Sequence, residues 1–249
     1  MWTDIGATLP VAFVALVSGY ALFSLFGFGS AILATPGLLM TMPMARIVPL
    51  LAVLDAGSSS VRAWRGRRSI HPGAIRLLLP CMLVGQIVGI GLLRYLPVRE
   101  TALLFGTFIA ALGVSSFFPD HVRSESGRGT WSGIGHGLAG GVLGGMFGSG
   151  GFLYARYLQR RLPQREIFLA TQAVMIGVST IWRVVLCVFS GLVDGELMLT
   201  AIVLVPAVWA GFRLGNMARA RISAQRWVAL LNGLLVAAGL LLVYRHLGI

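Results

Sequence analysis

Apolar residues run almost unbroken through this chain, in stretches close to the roughly 20 residues a helix needs to cross a bilayer. Polar residues collect in short intervals between them. Six stretches read as full spans. Three come early, Met44–Arg62, Gly73–Arg94 and Thr101–Phe118, and three late, Arg165–Phe189, Leu197–Phe212 and Gln225–Tyr244. Ahead of each triplet lies an apolar stretch interrupted by glycine: Gly27-Phe28-Gly29-Ser30 and, 121 residues on, Gly148-Ser149-Gly150-Gly151. The pattern predicts an all-α polytopic membrane protein.

The two glycine breaks mark two copies of one unit. An offset of 121 pairs Gly19 with Gly140, Leu22 with Leu143, Phe26 with Phe147, Gly27 and Gly29 with Gly148 and Gly150, Ser58 with Ser179 and Arg62 with Arg183. After a short insertion an offset of 126 pairs Pro80, Gly85 and Gly89 with Pro206, Gly211 and Gly215, and Gly113 with Gly239. The expected organisation is a first repeat over residues 1–118, a linker over 119–130 and a second repeat over 131–249. Only about 25 residues separate Trp131 from Ala155, too few for two full spans. Each repeat is therefore expected to open with a hairpin of short or half helices bent at the glycines, followed by three spans.

Charge sets the expected orientation. Arg62, Arg65, Arg67, Arg68 and Arg76 crowd one loop of the first half, whereas the matching loop of the second half carries Asp194 and Glu196. Conversely, Arg156, Arg160, Arg161 and Arg165 stand where the first half has only Arg46. Basic loops favour the cytoplasm, so the halves are expected to be inverted. The linker is placed inside and both termini outside.

Composition narrows the function class. The chain is 57% hydrophobic and 11% charged, against about 25% charged in soluble domains. Mean hydropathy is +0.85. The net charge of +12 comes from arginines in short loops, which set topology and do not argue for nucleic acid. Cys81 and Cys187 are far apart and form no C-x-x-C, so neither a disulfide framework nor a thiol relay is suggested. No H-E-x-x-H, G-x-S-x-G or P-loop occurs, so neither an enzyme nor a cofactor site is expected. Inverted repeats with interrupted helices are the pattern of secondary transporters, worked by alternating access with the glycine hairpins near the midplane.

Candidate chemistry follows from the breaks and from the few polar residues within spans. Half-helix N-termini present unpaired N–H groups and a positive dipole end to an anion. Gly27, Gly29, Gly148, Gly150 and Gly151 leave that approach open, and Ser30 and Ser149 supply hydroxyls. Arg183 lies deep in an apolar span, where a charge faces a partner or a water-filled cavity, and Arg62 is its repeat counterpart. Gln172, Ser179 and Arg183 fall on related turns of one helix. Asp55 is a candidate proton-coupling group, spaced to share a helix face with Ser59 and Arg62. Gln86, His136, Thr171, Thr180, Asn216 and Asn232 are further polar residues within spans. Met40, Met42 and Met44 do not share a helical face, so no metal site is expected.

The stretches Gly27-Phe28-Gly29-Ser30-Ala31-Ile32-Leu33-Ala34-Thr35-Pro36 and Gly144-Gly145-Met146-Phe147-Gly148-Ser149-Gly150-Gly151-Phe152 resemble those of the sulfite exporter TauE/SafE family. The likeness in size, span pattern and duplication covers nearly the whole chain. Two features depart from the family pattern. Gly29-Ser30-Ala31 stands where three glycines are common, and Ala155-Arg156-Tyr157 stands where a proline is common. The resemblance implies a multi-pass permease of the bacterial inner membrane that exports sulfite or organosulfonates. The alternative is a membrane assembly or maturation factor that transports nothing. Gly-x-x-x-Gly spacing serves internal packing or a homodimer equally well.

Overall fold

A computed structural model describes residues 5–26, 29–66, 70–115, 129–162 and 164–219, with residues 233, 236, 237, 239, 240 and 244 beyond them. Nine α-helices and no strand occur among these residues. In chain order they are α1 (Ile5–Phe26), α2 (Ser30–Leu38), α3 (Met44–Gly66), α4 (Pro72–Tyr95), α5 (Val98–Ser115), α6 (Gly129–Phe147), α7 (Gly151–Arg161), α8 (Arg165–Phe189) and α9 (Gly195–Arg219). Five of the six expected spans are α3, α4, α5, α8 and α9; Gln225–Tyr244 falls almost wholly outside the described residues. Helix α9 runs well past the expected end at Phe212 because arginine is a good helix former whose stem lies along apolar surface. Among the described residues, Pro72–Tyr95, Glu166–Phe189 and Gly195–Ala218 are long and apolar enough to cross a membrane. Their exposed side chains include Val84, Val88, Ile202, Val203 and Trp209, the surface a lipid-facing helix presents.

Helix ends are fixed locally. Asp194 Oδ1 accepts the Leu197 N–H at 2.8 Å and caps α9. Gly191, at φ +67, closes α8 with Leu192 N–H bonded to Cys187 O and Gly191 N–H bonded to Val188 O, a Schellman ending. His71 Nδ1 accepts the Ala74 N–H at the start of α4, and the His71 N–H donates to Thr171 Oγ1 of α8 at 2.9 Å.

Both glycine breaks are helical hairpins, and their arms are unequal. At about 1.5 Å per residue, the 22 residues of α1 span about 33 Å and the 9 of α2 about 14 Å. The 19 residues of α6 span about 29 Å and the 11 of α7 about 17 Å. The expectation of two short arms thus holds only for the second arm of each. The first arm reaches full length because the break lies late in the stretch. Gly148, at φ +70, ends α6 with its N–H bonded to Gly144 O at 3.0 Å. Gly29, at φ +94, immediately precedes α2. A side chain at either backbone conformation would be strained.

The chain forms two compact units. The first comprises Met1–Ile47, Leu96–His121 and Leu204–Ile249. In it α1 packs on α2, with Gly19 so close that a Cβ would sit 2.6 Å from Ser30 O. The C-terminal part of α9 crosses α1 at two glycines. A Cβ at Gly211 would lie 2.7 Å from both Val17 O and Tyr20 Cβ, and one at Gly215 would collide with Ala21 O and Ser24 Oγ. Tyr20, Phe23 and Phe212 stack around this crossing with ring centroids 5.6–5.9 Å apart.

The second unit comprises Val48–Tyr95 and Val122–Val203. Its main contact is α4 on α6, made through glycines on both helices. Gly85 would collide with Leu138 O, Gly89 with Val142 O and Gly141 with Met82 O if any carried a Cβ, and a Cβ at Gly145 would lie 2.7 Å from Gln86 O. Helix α8 packs on α4, α6 and α7. Ala74, Leu78, Met82, Tyr154, Leu158 and Met175 form its apolar core.

The two crossings occupy corresponding positions. Gly85 meets Leu138, Gly141 and Val142, whereas Gly211 meets Val17, Tyr20 and Ala21. The glycines differ by 126 in number and their partners by 121, the offsets that align the halves. Gly89 against Val142 and Gly145 likewise corresponds to Gly215 against Ala21 and Ser24. In each crossing, the glycines of a long span, α4 or α9, pack on the first arm of a glycine hairpin, α6 or α1.

Candidate functional site

The polar groups of the second unit gather where α6 ends and α7 begins. Arg183, in the C-terminal third of α8, is 3% exposed and Asp55 of α3 is 4% exposed. They are the only buried charged side chains among the described residues. Arg183 Nη2 lies 3.5 Å from Asp55 Oδ2, and Nη1 donates to Gly144 O at 3.2 Å. Gly144 belongs to the last turn of α6, where a cation is favoured; its carbonyl also accepts the Gly148 N–H. One guanidinium therefore ties α3, α6 and α8 together.

Around this pair the polar side chains are incompletely satisfied. Gln86 of α4 donates through Nε2 to Ser179 Oγ of α8 at 2.5 Å, while its Oε1 has no partner. The Tyr154 hydroxyl of α7 lies close to Ser179 and in the field of Arg183, yet makes no hydrogen bond of normal geometry. The space beside Gly150 also belongs to it: a Cβ there would sit 2.9 Å from the Tyr154 hydroxyl. Arg183 Nε, Ser149 Oγ and Ser59 Oγ are likewise buried without a partner, as are both amide atoms of Gln172 about 16 Å earlier along α8. Buried polar atoms are normally hydrogen-bonded, and leaving one bare costs about 1–3 kcal/mol.

The sequence candidates distribute as follows. Gly148 forms the α6 cap, Gly150 precedes α7, Gly151 is its first residue and Ser149 is buried at the turn. Asp55, Ser179 and Arg183 meet there, and Gln172 lies on α8 two turns before Ser179. Asp55 pairs with Arg183 from a distant stretch of chain. Arg62 is within α3, its side chain outside the described part, and Gly27 lies outside the described residues. Gly29 and Ser30 belong to the first unit, with Ser30 buried as the first residue of α2. His136 is occupied within its own helix, its Nδ1 2.7 Å from Ser132 O, and its ring packs on Tyr157. The sequence flags Gln86 only as a polar residue within a span. Nothing in it flags Tyr154.

The arrangement can hold an anion. Arg183 supplies positive charge. The N-terminus of α7 supplies a dipole, and Tyr154 and Ser149 supply neutral donors. Among the described residues no cluster of His, Cys, Asp and Glu could hold a metal ion.

Comparison with known proteins agrees in kind. The chain is 28% identical over 199 residues to a probable inner membrane transporter protein, TsaS, of Comamonas testosteroni, covering 80% of this chain and 82% of that protein. No solved structure matches. The model of one family, the sulfite exporter TauE/SafE family, matches residues 11–242. With glycine-broken hairpins, apolar spans and that match over nearly its full length, the chain belongs to the sulfite exporter TauE/SafE family of membrane transporters.

Proposed function

We propose that this transporter is a secondary permease for a small sulfur-containing anion, sulfite or an organosulfonate, moved outward across the inner membrane by alternating access. The observation that carries the reading is Arg183, buried in α8 beside the N-terminus of a half-length helix and ringed by polar atoms without partners. A buried arginine fork suits paired oxyanion oxygens. Inversion of the two halves supplies the two-state element that alternating access requires, and the matched crossings at Gly85–Gly89 and Gly211–Gly215 support it. Asp55, the buried carboxylate beside Arg183, is the group through which a proton gradient would act.

The test is flux in proteoliposomes loaded with sulfite, a taurine-like sulfonate, sulfate or chloride, with and without an imposed pH gradient. Saturable movement of one sulfur anion, lost in folded Arg183→Ala protein, is the expected result. No flux of any anion through folded protein would remove the permease reading and favour an assembly factor.

A further inference from the structure

The outer face of α9 carries chemistry that the anion site does not use. Gly211 and Gly215 turn one side of this helix onto α1. Residues 209, 213 and 216 recur at helical spacing on the opposite side, and Trp209, Arg213 and Asn216 are all exposed there. The Arg213 guanidinium carbon lies 4.6 Å from the centroid of the Trp209 ring, inside the range of about 6 Å for a cation–π contact. Among the described residues Arg213 makes no hydrogen bond and no ion pair.

Position along the helix fixes depth. Asp194 and Glu196 stand at the start of α9, and charged groups at a helix end belong at the bilayer surface. Arg213 lies about 27 Å beyond Gly195 at about 1.5 Å per residue, against a hydrocarbon core of about 30 Å. It therefore reaches the opposite headgroup level. Trp209 lies about 6 Å nearer the core, at the boundary that tryptophan prefers.

Charge decides what meets this pair. From Leu197 to Ile249 the chain has no Asp or Glu, while Arg219, Arg221 and Arg226 follow Arg213. An arginine-rich helix end favours the cytoplasmic side, where the leaflet surface is anionic. A guanidinium stacked on an indole is covered on one flat face and keeps its edge donors, which match paired phosphate oxygens. Stacking also holds the side chain in place before a ligand arrives, so less rotamer freedom is lost on binding. An unstacked arginine in solvent lacks that advantage. Asn216, one turn on, adds a neutral donor.

We propose that Trp209 and Arg213 of α9 form a headgroup site for an anionic phospholipid, with its phosphate on the guanidinium and its upper acyl chain along the indole. The site takes nothing from the Arg183 cluster, so it stands whatever the transported substrate is.

The test places the full chain in phosphatidylcholine bilayers containing a small fraction of acyl-brominated lipid, either phosphatidylglycerol or phosphatidylcholine. Bromine quenches tryptophan on contact, and in each background the share due to Trp209 is the signal removed by Trp209→Phe. Brominated phosphatidylglycerol is expected to quench Trp209 about threefold or more above brominated phosphatidylcholine. Arg213→Gln is expected to bring the two lipids to equality. Arg76→Gln removes the same charge from an exposed side chain of α4 and is expected to leave the preference intact. Equal quenching by the two lipids in wild type overturns the proposal, as does a preference that survives Arg213→Gln. Equal losses in the two arginine variants would show diffuse attraction to a basic surface and overturn it as well. Loss of the preference on adding inorganic phosphate at constant ionic strength would make the ligand a soluble anion, with the same consequence.

Discussion

The second unit is polar where the first is aromatic. Gly141, Gly144 and Gln86 lie at the α4–α6 crossing; under the offsets that align the halves their counterparts are Tyr20, Phe23 and Phe212. In the second unit the small residues leave room for Arg183 against Gly144 O and for Gln86 against Ser179. In the first, three rings occupy the corresponding volume, and Tyr20 and Phe23 are almost completely buried. The same close crossing of a second span on a hairpin thus serves two ends. One copy is packed with side chains to make a scaffold. The other keeps buried polar groups without partners, where the proposed anion site lies.

The comparison is broken most severely at Arg183. Arg183→Ala removes one member of the buried Arg183–Asp55 ion pair, which should destabilise the protein by about 3–5 kcal/mol and abolish anion flux, read by thermal unfolding and by proteoliposome uptake. On the aromatic side, Phe23→Ala should cost about 3 kcal/mol by opening a cavity. Its anion affinity should stay at the wild-type value, because the proposed site lies in the second unit. A changed dissociation constant would show that the first unit also binds. What the two regions share is probed by Gly89→Val and Gly215→Val. Both put a side chain into opposing backbone, and overpacking should lower stability by about 1–3 kcal/mol in each. A cost confined to one variant would mean the crossings are not equivalent. The smallest effect is expected at Gly148→Ala, where the φ of +70 should cost about 1–2 kcal/mol and loosen the turn that places Ser149 and Gly150.

Much of the fold is legible in the apolar pattern, since helix length and glycine breaks are local properties. The ends of α4, α8 and α9 depend on His71, Gly191 and Asp194 as caps. The sequence reading treated Asp194 only as a loop charge. Hairpin arm lengths were misjudged because hydropathy marks where a helix can lie and does not locate its break within the apolar stretch. At the site, Arg183 and Asp55 stand out individually as charges within spans. Their pairing does not, because they are 128 residues apart and belong to different halves. Helical spacing shows only that Asp55, Ser59 and Arg62 can share one face of α3. Tyr154 is invisible for a related reason: only the packing of α7 on α8 turns an ordinary aromatic into a buried hydroxyl beside Arg183.

The most direct measurement is sulfonate flux through the double variant Asp55→Leu, Arg183→Met in proteoliposomes, with folding verified by thermal unfolding. Replacing both members of a buried ion pair with apolar residues often leaves stability unchanged or raises it, so the protein should fold near the wild-type midpoint. The account predicts that this folded protein carries no sulfonate. Wild-type flux through it would contradict the claim that the anion path runs through the Arg183 cluster.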